Sequence, residues 1–261
     1  MSDLNLLFRN RIGFPINEKI TFENLETILE MTAKAIPFEN LCIITNKTTE
    51  ITKENLINKI LDKNEGGLCY ELNSILHFFL VENGFNIDFI RGVTYNQIEQ
   101  KWNTIGRTHV INVITHNEKQ YLIDTGFGGN LPLKPVPLNG KIVTSNNGEF
   151  KVERAEIEYG DYIFHMKLKH KDKDWKIGYA FDSKQVTKRV SELNEVQKII
   201  LEHPDSPFNK KPLITRLTNS GSVTLTENSF TEWADGKVAK KDVDKKRFKE
   251  LVKKHFDIHS Y

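Results

Sequence analysis

Cysteine is scarce in this chain, with only Cys42 and Cys69 among 261 residues. A disulfide framework is therefore excluded as the main source of stability, and a reducing compartment is expected. Metal-ligand spacing is also missing. The cysteines do not form a C-x-x-C pair, and the eight histidines are scattered. His255 and His259 stand four apart in a charged C-terminal stretch with no third ligand nearby, so no metal site is expected. Long apolar runs are absent too. The densest, Ile75–Val81, is interrupted by His77 and is far too short to span a bilayer. The opening M-S-D-L-N-L-L-F-R-N has neither the apolar core nor the small-residue cleavage site of a signal peptide. No charge of one sign dominates: the formal charge is +2. Nothing here calls for nucleic acid or an acidic membrane as partner. Neither G-x-x-x-x-G-K-[ST] nor a strand-to-helix G-x-G-x-x-G occurs. What remains is an ordinary globular composition, 38% apolar and 28% charged. It is long enough for one elaborate domain or two to three small ones, and a cytoplasmic location is expected.

Hydrophobic spacing divides the chain. Phe22, Leu25, Ile28, Leu29, Thr32 and Ile36 follow helical spacing from a start near Thr21 to a stop at Pro37. Thr52 with Leu56, Ile57 and Ile60 predicts a second helix, closed by K-N-E-G-G. A third runs from about Cys69 to Glu82, with Leu72, Ile75, Leu76, Phe79 and Leu80 as its stripe and Asn83-Gly84 as its stop. The period then changes. Ile87–Tyr95, Thr108–Thr115 and Lys119–Asp124 read as strands, the last two as a hairpin. Further strands are expected near Phe150–Tyr159, Tyr162–Lys169 and Trp175–Phe181. Gly126–Gly140, rich in Gly and Pro, reads as loop. Helix returns at Glu192–Glu202, a short strand at Ser222–Thr226, and a lysine-faced helix near Asp242–Phe256. Helices followed by a run of strands and a mixed tail argue α+β rather than alternating β-α units.

Residues 64–73, N-E-G-G-L-C-Y-E-L-N, put Cys69 in the first turn of the third helix. Unpaired N–H groups there favour a thiolate. A cysteine nucleophile needs a base, and the base needs an orienter. His109 and Asp124 are the candidates, since both hairpin registers with a two-residue loop keep them on one face. A loop at His116-Asn117 sets them directly opposite. A loop at Asn117-Glu118 makes them diagonal neighbours. Each residue also has a plain reading: Cys69 as a small buried hydrophobe, His109 as a hydrogen-bonded strand residue, Asp124 as a turn former. Cys42, within L-C-I-I, reads as core.

The segment G-G-L-C-Y-E-L-N (66–73) resembles the active-site motif of arylamine N-acetyltransferases, R-G-G-x-C-[FY]-E. R-I-G (11–13), P-F-E-N-L (37–41), T-H-V at 109, D-T-G-F-G (124–128), S-P-F (206–208) and G-S-V-T-L (221–225) resemble further segments of that family in order and spacing. The resemblance extends over essentially the whole chain. It implies an N-terminal helical bundle (residues 1–85), a central antiparallel β-barrel-like domain (86–185), a C-terminal α/β lid (186–261), and a cysteine-protease-like catalytic core. It implies Cys69, His109 and Asp124 as the triad, and acetyl-CoA as the acetyl donor. The acceptors implied are arylamines or arylhydrazines, reached by a ping-pong route through an acetyl-cysteine thioester. Phe38 and Phe127 are implied in the acceptor pocket, and Gly106, Thr108 and Phe208 near CoA. No metal is implied, and a monomer or weak homo-oligomer is expected. The chain departs from the pattern at Glu65, where the motif carries Arg, and at Thr125, where Val is usual. An acidic Glu65 opposes thiolate formation or changes the local ion pairs. The same triad logic also fits a papain- or transglutaminase-like hydrolase, an amide synthase of the same family, or a non-catalytic binding protein on this fold.

Overall fold

The computed structural model describes residues 2–259. Helix α1, Asp3–Ile12, opens the chain. Ser2 caps its start, and Gly13, with φ of 79°, stops it. Helix α2 spans Leu25–Ala35, starting three residues later than Phe22. The delay has a local cause: the Thr21 N–H donates to the Asn24 side chain at 2.8 Å, folding residues 21–24 into a turn of their own. Pro37 then pushes Ile36 into extended geometry. A two-residue strand β1, Phe38–Glu39, and a single turn α3, Leu41–Ile44, follow. The second expected helix is in two pieces. Lys53–Leu56 is a short α-helix, α4, and Ile57–Asp62 is a wider π turn. Helix α5 covers Cys69–Glu82, the bounds expected from its stripe.

Strand β2 is Asn86–Asn96, with the short β3, Lys101–Trp102, paired to its end. Next come β4 (His109–His116), β5 (Lys119–Ile123), β6 (Val136–Pro137), β7 (Val143–Ser145), β8 (Gly148–Ile157), β9 (Gly160–Leu168) and β10 (Lys176–Thr187). They form one antiparallel sheet in the order β6-β5-β4-β2-β10-β9-β8-β7. The sheet curls until its ends nearly meet: the Gly140 N–H, just after β6, donates to the Val152 carbonyl of β8 at 2.9 Å. Inside the curl lie Val113, Leu122, Val136, Phe150, Phe164, Tyr179 and Phe181, all buried.

Helix α6, Leu193–Glu202, leads to a four-stranded meander: β11 (Leu213–Leu217), β12 (Gly221–Thr226), β13 (Ser229–Ala234) and β14 (Lys237–Asp242). Helix α7, Lys245–Phe256, starts later than Asp242 because β14 takes up the preceding residues. Asp244 caps it by accepting the Arg247 N–H at 2.8 Å. Every residue of β14 is exposed, so its two faces carry no alternation to read.

Two contacts position the site. Helix α5 is the centre of the helical part. Tyr70, Leu72, Ile75, Leu76, Phe79 and Leu80 are all buried, and burial stabilises by about 1.5–3 kcal/mol for each such aliphatic or aromatic side chain. Strand β1 pairs with β11, Phe38 opposite Thr215, so the N-terminal helices and the C-terminal meander share a sheet. Asn40, fully buried, locks this seam. Its amide donates to the carbonyls of Phe208 (2.7 Å) and Lys211 (2.8 Å), and its oxygen accepts the Leu213 N–H (2.8 Å). The result is an α+β fold: a helical bundle, a nearly closed antiparallel barrel-like sheet, and a C-terminal sheet with its covering helix.

Candidate active site

The hairpin β4–β5 turns at Asn117-Glu118, with His116 opposite Lys119. Both turn residues have positive φ, 48° and 61°, the conformation that matches a two-residue turn to the strand twist. This is the register in which His109 and Asp124 are diagonal neighbours. The imidazole Nε2–H reaches across and donates to Asp124 Oδ2 at 2.8 Å.

Cys69 comes to the same place from α5. It is 6 % exposed, and its thiol approaches the Thr108 carbonyl at 3.5 Å. The His109 imidazole lies within electrostatic reach of it, and Cys69 adds to the rise in the imidazole pKa. Because Nε2 is occupied by Asp124, Nδ1 is the ring nitrogen left for sulfur. Close packing makes the approach possible. A Cβ on Gly126 would lie 2.5 Å from Cys69 Cα, so only glycine lets the chain after Asp124 cross the helix start. The thiol of a helix and a strand imidazole hydrogen-bonded to its carboxylate are thus gathered at one place, which is the layout of a cysteine-protease-like core.

Sequence reasoning missed what holds Asp124. Asn73 lies one turn beyond Cys69 on the same face of α5. Its amide donates to Asp124 Oδ1 (2.8 Å) and the Val110 carbonyl (2.8 Å). Tyr179, on β10, donates its hydroxyl to Asp124 Oδ2 at 3.0 Å, and the Gly126 N–H donates to Oδ1 at 2.7 Å. Asp124 is 1 % exposed. Burial opposes its charge, but the His109 charge and the hydrogen bonds from His109, Asn73 and Gly126 outweigh burial, holding the carboxyl below its usual value. Burial likewise opposes charge on His109. The Asp124 charge and hydrogen bond, with a contribution from Cys69, push its pKa up to about 10. Tyr179 is pushed far up by burial and then by Asp124, so it stays a neutral donor. The Asn73 spacing was available in the sequence; Tyr179 lies 55 residues from Asp124 and carries no local signal. Thr125, the second departure from the motif, uses its hydroxyl: it donates to Asn73 Oδ1 at 3.1 Å.

The remaining expected residues divide into groups. Phe127, half-buried, sits 4.9 Å from the His109 ring and 5.1 Å from Tyr179, centroid to centroid. Phe38 packs edge-on against Phe208 at 5.6 Å. Gly106 is in the left-handed region, φ 76°, in the turn entering β4, and its carbonyl accepts the Thr108 N–H at 2.9 Å. Through its own carbonyl Thr108 borders the thiol. His255 packs against Phe230, and His259 pairs with Asp257. Among the described residues no three His, Cys, Asp or Glu side chains are grouped to hold a metal ion. No helix among them is long and apolar enough to cross a membrane.

A buried thiol, an imidazole and a carboxylate so arranged are the side-chain set of cysteine-nucleophile acyl-transfer enzymes. The chain belongs to the arylamine N-acetyltransferase family: the N-acetyltransferase family model matches residues 21–260. An uncharacterised acetyltransferase of Bacillus subtilis is 36% identical over 257 residues, 98% of each chain. The crystal structure of an arylamine N-acetyltransferase from Bacillus cereus, described as having a unique Cys-His-Glu catalytic triad, is 39% identical. It superposes with a TM-score of 0.93 over 99% of both chains. In the present chain the carboxylate on the histidine is an aspartate. The fold is also that of a Mycobacterium marinum arylamine N-acetyltransferase solved in complex with CoA (TM-score 0.83, 21% identity, 97% of this chain and 92% of that one).

Proposed function

We propose that this protein moves an acetyl group from acetyl-CoA to the nitrogen of an arylamine or arylhydrazine, by way of an acetyl thioester on Cys69. The observation that carries the reading is the meeting of Cys69 with His109, whose ring donates to the buried Asp124 carboxylate. His109 as imidazolium stabilises the Cys69 thiolate, and Asp124 fixes the ring so that Nδ1 faces sulfur. The thiolate attacks the acetyl carbonyl, and the tetrahedral oxyanion collapses with loss of CoA, whose sulfur takes a proton from His109. The now neutral imidazole takes a proton from the acceptor nitrogen as it attacks the thioester, and Cys69 leaves as thiolate. One site serves both substrates in turn.

Phe127, beside the His109 ring, and Phe38 present aromatic surface to the acceptor. Gly106, Thr108 and Phe208 border the donor, and the CoA complex of the mycobacterial relative supports this choice of donor. The Asp-for-Glu difference from the Bacillus cereus protein leaves the role of the carboxylate intact. In this reading the chain works as three units, 1–85, 86–185 and 186–261, in the cytoplasm, as a monomer or weak homo-oligomer. The test is a panel of arylamines and arylhydrazines with acetyl-CoA. N-acetylated product with parallel double-reciprocal lines is expected. CoA release that no acceptor accelerates, with acetate as product, would instead favour a hydrolase.

A further inference from the structure

Lys59 is a buried cation that the triad chemistry does not use. It lies in the π turn Ile57–Asp62, between the core residues Ile60 and Leu56. Its ammonium is 2.5 Å from Glu71 Oε1, 3.6 Å from Glu39 Oε1 and 3.2 Å from Cys42 Sγ. Both carboxylates lead back to the nucleophile. Glu71 turns its other oxygen to the N–H of Leu68, the residue before Cys69, at 3.0 Å. Leu68 has no side-chain acceptor, so Glu71 supplies the cap at the start of α5 from within the helix. Glu39 Oε2 accepts the Leu41 N–H, and the Glu39 N–H donates to the Gly67 carbonyl at 3.0 Å. The Gly67 N–H in turn reaches the Pro37 carbonyl at 3.3 Å. The turn has no room for side chains: a Cβ on Gly66 would meet the Pro37 carbonyl at 2.0 Å, and one on Gly67 would meet Glu71 Cβ and Oε2 at 2.8 Å. Lys59 therefore joins the two sides of the Gly66-Gly67 turn.

We propose that Lys59 is a positioning residue of the acyl-transfer site: acting through Glu71 and Glu39, it fixes the glycine turn and so the place of Cys69 at the start of α5. This rests on the acetyl-transfer reading above and deepens it. Charge supports the geometry. Burial opposes the ammonium, but Glu71 and Glu39 outweigh burial and hold Lys59 protonated. Burial pushes Glu39 up, Lys59 opposes that rise, and Glu71 and Glu65 add to it. Removing the cation would leave two buried carboxylates facing each other without a counter-charge and would break the ionic bridge that ties Glu71 to Glu39 across the turn. Without Lys59, an ionised Glu71 would also stand uncompensated two residues from the thiolate. The cluster is approached from outside the triad: a cavity of about 250 Å³ lined by Glu39, Cys42, Lys59 and Glu65 opens beside it, and Cys69, His109 and Asp124 do not line it. Lys59 thus acts through its partners rather than on acetyl-CoA.

The test is quenched-flow mass spectrometry of Cys69 acetylation against acetyl-CoA concentration, with iodoacetamide alkylation of Cys69 in parallel, on wild type, Lys59→Met and Lys59→Arg. In Lys59→Met the limiting acetylation rate and the alkylation rate are expected to fall about tenfold or more, while the half-saturating acetyl-CoA concentration stays within about twofold. Lys59→Arg is expected to recover most of the loss. A folded Lys59→Met with wild-type rates, or a loss that Lys59→Arg does not recover, overturns the proposal. If Lys59→Met does not fold, Glu71→Gln replaces it, since it keeps an acceptor for the Leu68 N–H and removes only the charge. Wild-type alkylation in Glu71→Gln is then the overturning result. Should wild type form no acetyl adduct, the acetyl-transfer reading fails, and the alkylation arm still decides the role of Lys59.

Discussion

Asp124 stays ionised while almost wholly removed from water. It does so because both its oxygens are saturated by donors, from His109 and Tyr179 on one and Asn73 and Gly126 on the other. Charge and shape can be separated at this residue. Asp124→Asn keeps the size but offers His109 the wrong partner, and Cys69 acetylation is expected to fall by roughly 10²–10⁴. Asp124→Glu keeps the charge, as the Cys-His-Glu relative does, and is expected to retain activity within about tenfold of wild type. Stopped-flow acetylation of both variants checks the pair. Equal losses would mean that geometry alone matters. Tyr179→Phe removes one neutral donor to the carboxylate, which is expected to cost about 1 kcal/mol of stability by urea unfolding, with a smaller loss of rate than Asp124→Asn.

Among the elements, helix α5 and the β4–β5 hairpin do most to build the site, and both were largely legible in the sequence. The stripe of Leu72, Ile75, Leu76, Phe79 and Leu80 marked α5 to its ends, and strand parity kept His109 and Asp124 on one face. The choice between the two registers was not legible: it turns on Glu118 accepting a φ of 61° beside Asn117, which glutamate does not advertise. Lys59 was hidden for another reason. A lysine between Leu56 and Ile60 reads as a solvated position, and a π turn shifts the phase on which that reading depends. The positive charge missing at position 65 of the glycine motif is present in the fold at Lys59. Of the meander only β12 was legible as a strand, and β14, exposed throughout, carries no alternation to read. At this scale the glycines give a sharp expectation. In Gly126→Ala the new methyl would overlap Cys69 Cα, so Cys69 alkylation is expected to fall by about tenfold or more, with a stability loss of about 1–3 kcal/mol. Unchanged alkylation would mean that the crossing is looser than the structure has it.

For the whole molecule, a buried polar chain runs from the triad towards the opposite end of α5. Asn73 is tied to Asn112, which donates to the Asn73 carbonyl at 2.9 Å, and Asn112 meets His77 Nδ1 at 3.2 Å. Burial lowers His77 to a pKa of about 4, only partly offset by the Asn112 bond. The folded chain therefore releases this proton more readily than the unfolded one. Its contribution to stability is full above the unfolded value near 6.5 and is lost as the pH falls towards about 4. At most about 2–3 kcal/mol is involved after allowing for partial exposure. His109 has the opposite sign: its contribution is full below its unfolded value and is lost as the pH rises through about 10. Urea unfolding at pH 4.5 and 7 is expected to show a shallower acid loss in His77→Gln than in wild type. Identical slopes would remove His77 as the titrating group.

Passage of the acetyl group through Cys69 is tested by intact-protein mass spectrometry with peptide mapping after mixing with acetyl-CoA in the absence of any acceptor. One acetyl group per chain is expected, on Cys69, formed as one equivalent of CoA is released and discharged when an arylamine is added. CoA release with no adduct, or an adduct on Cys42 in place of Cys69, would contradict passage through Cys69.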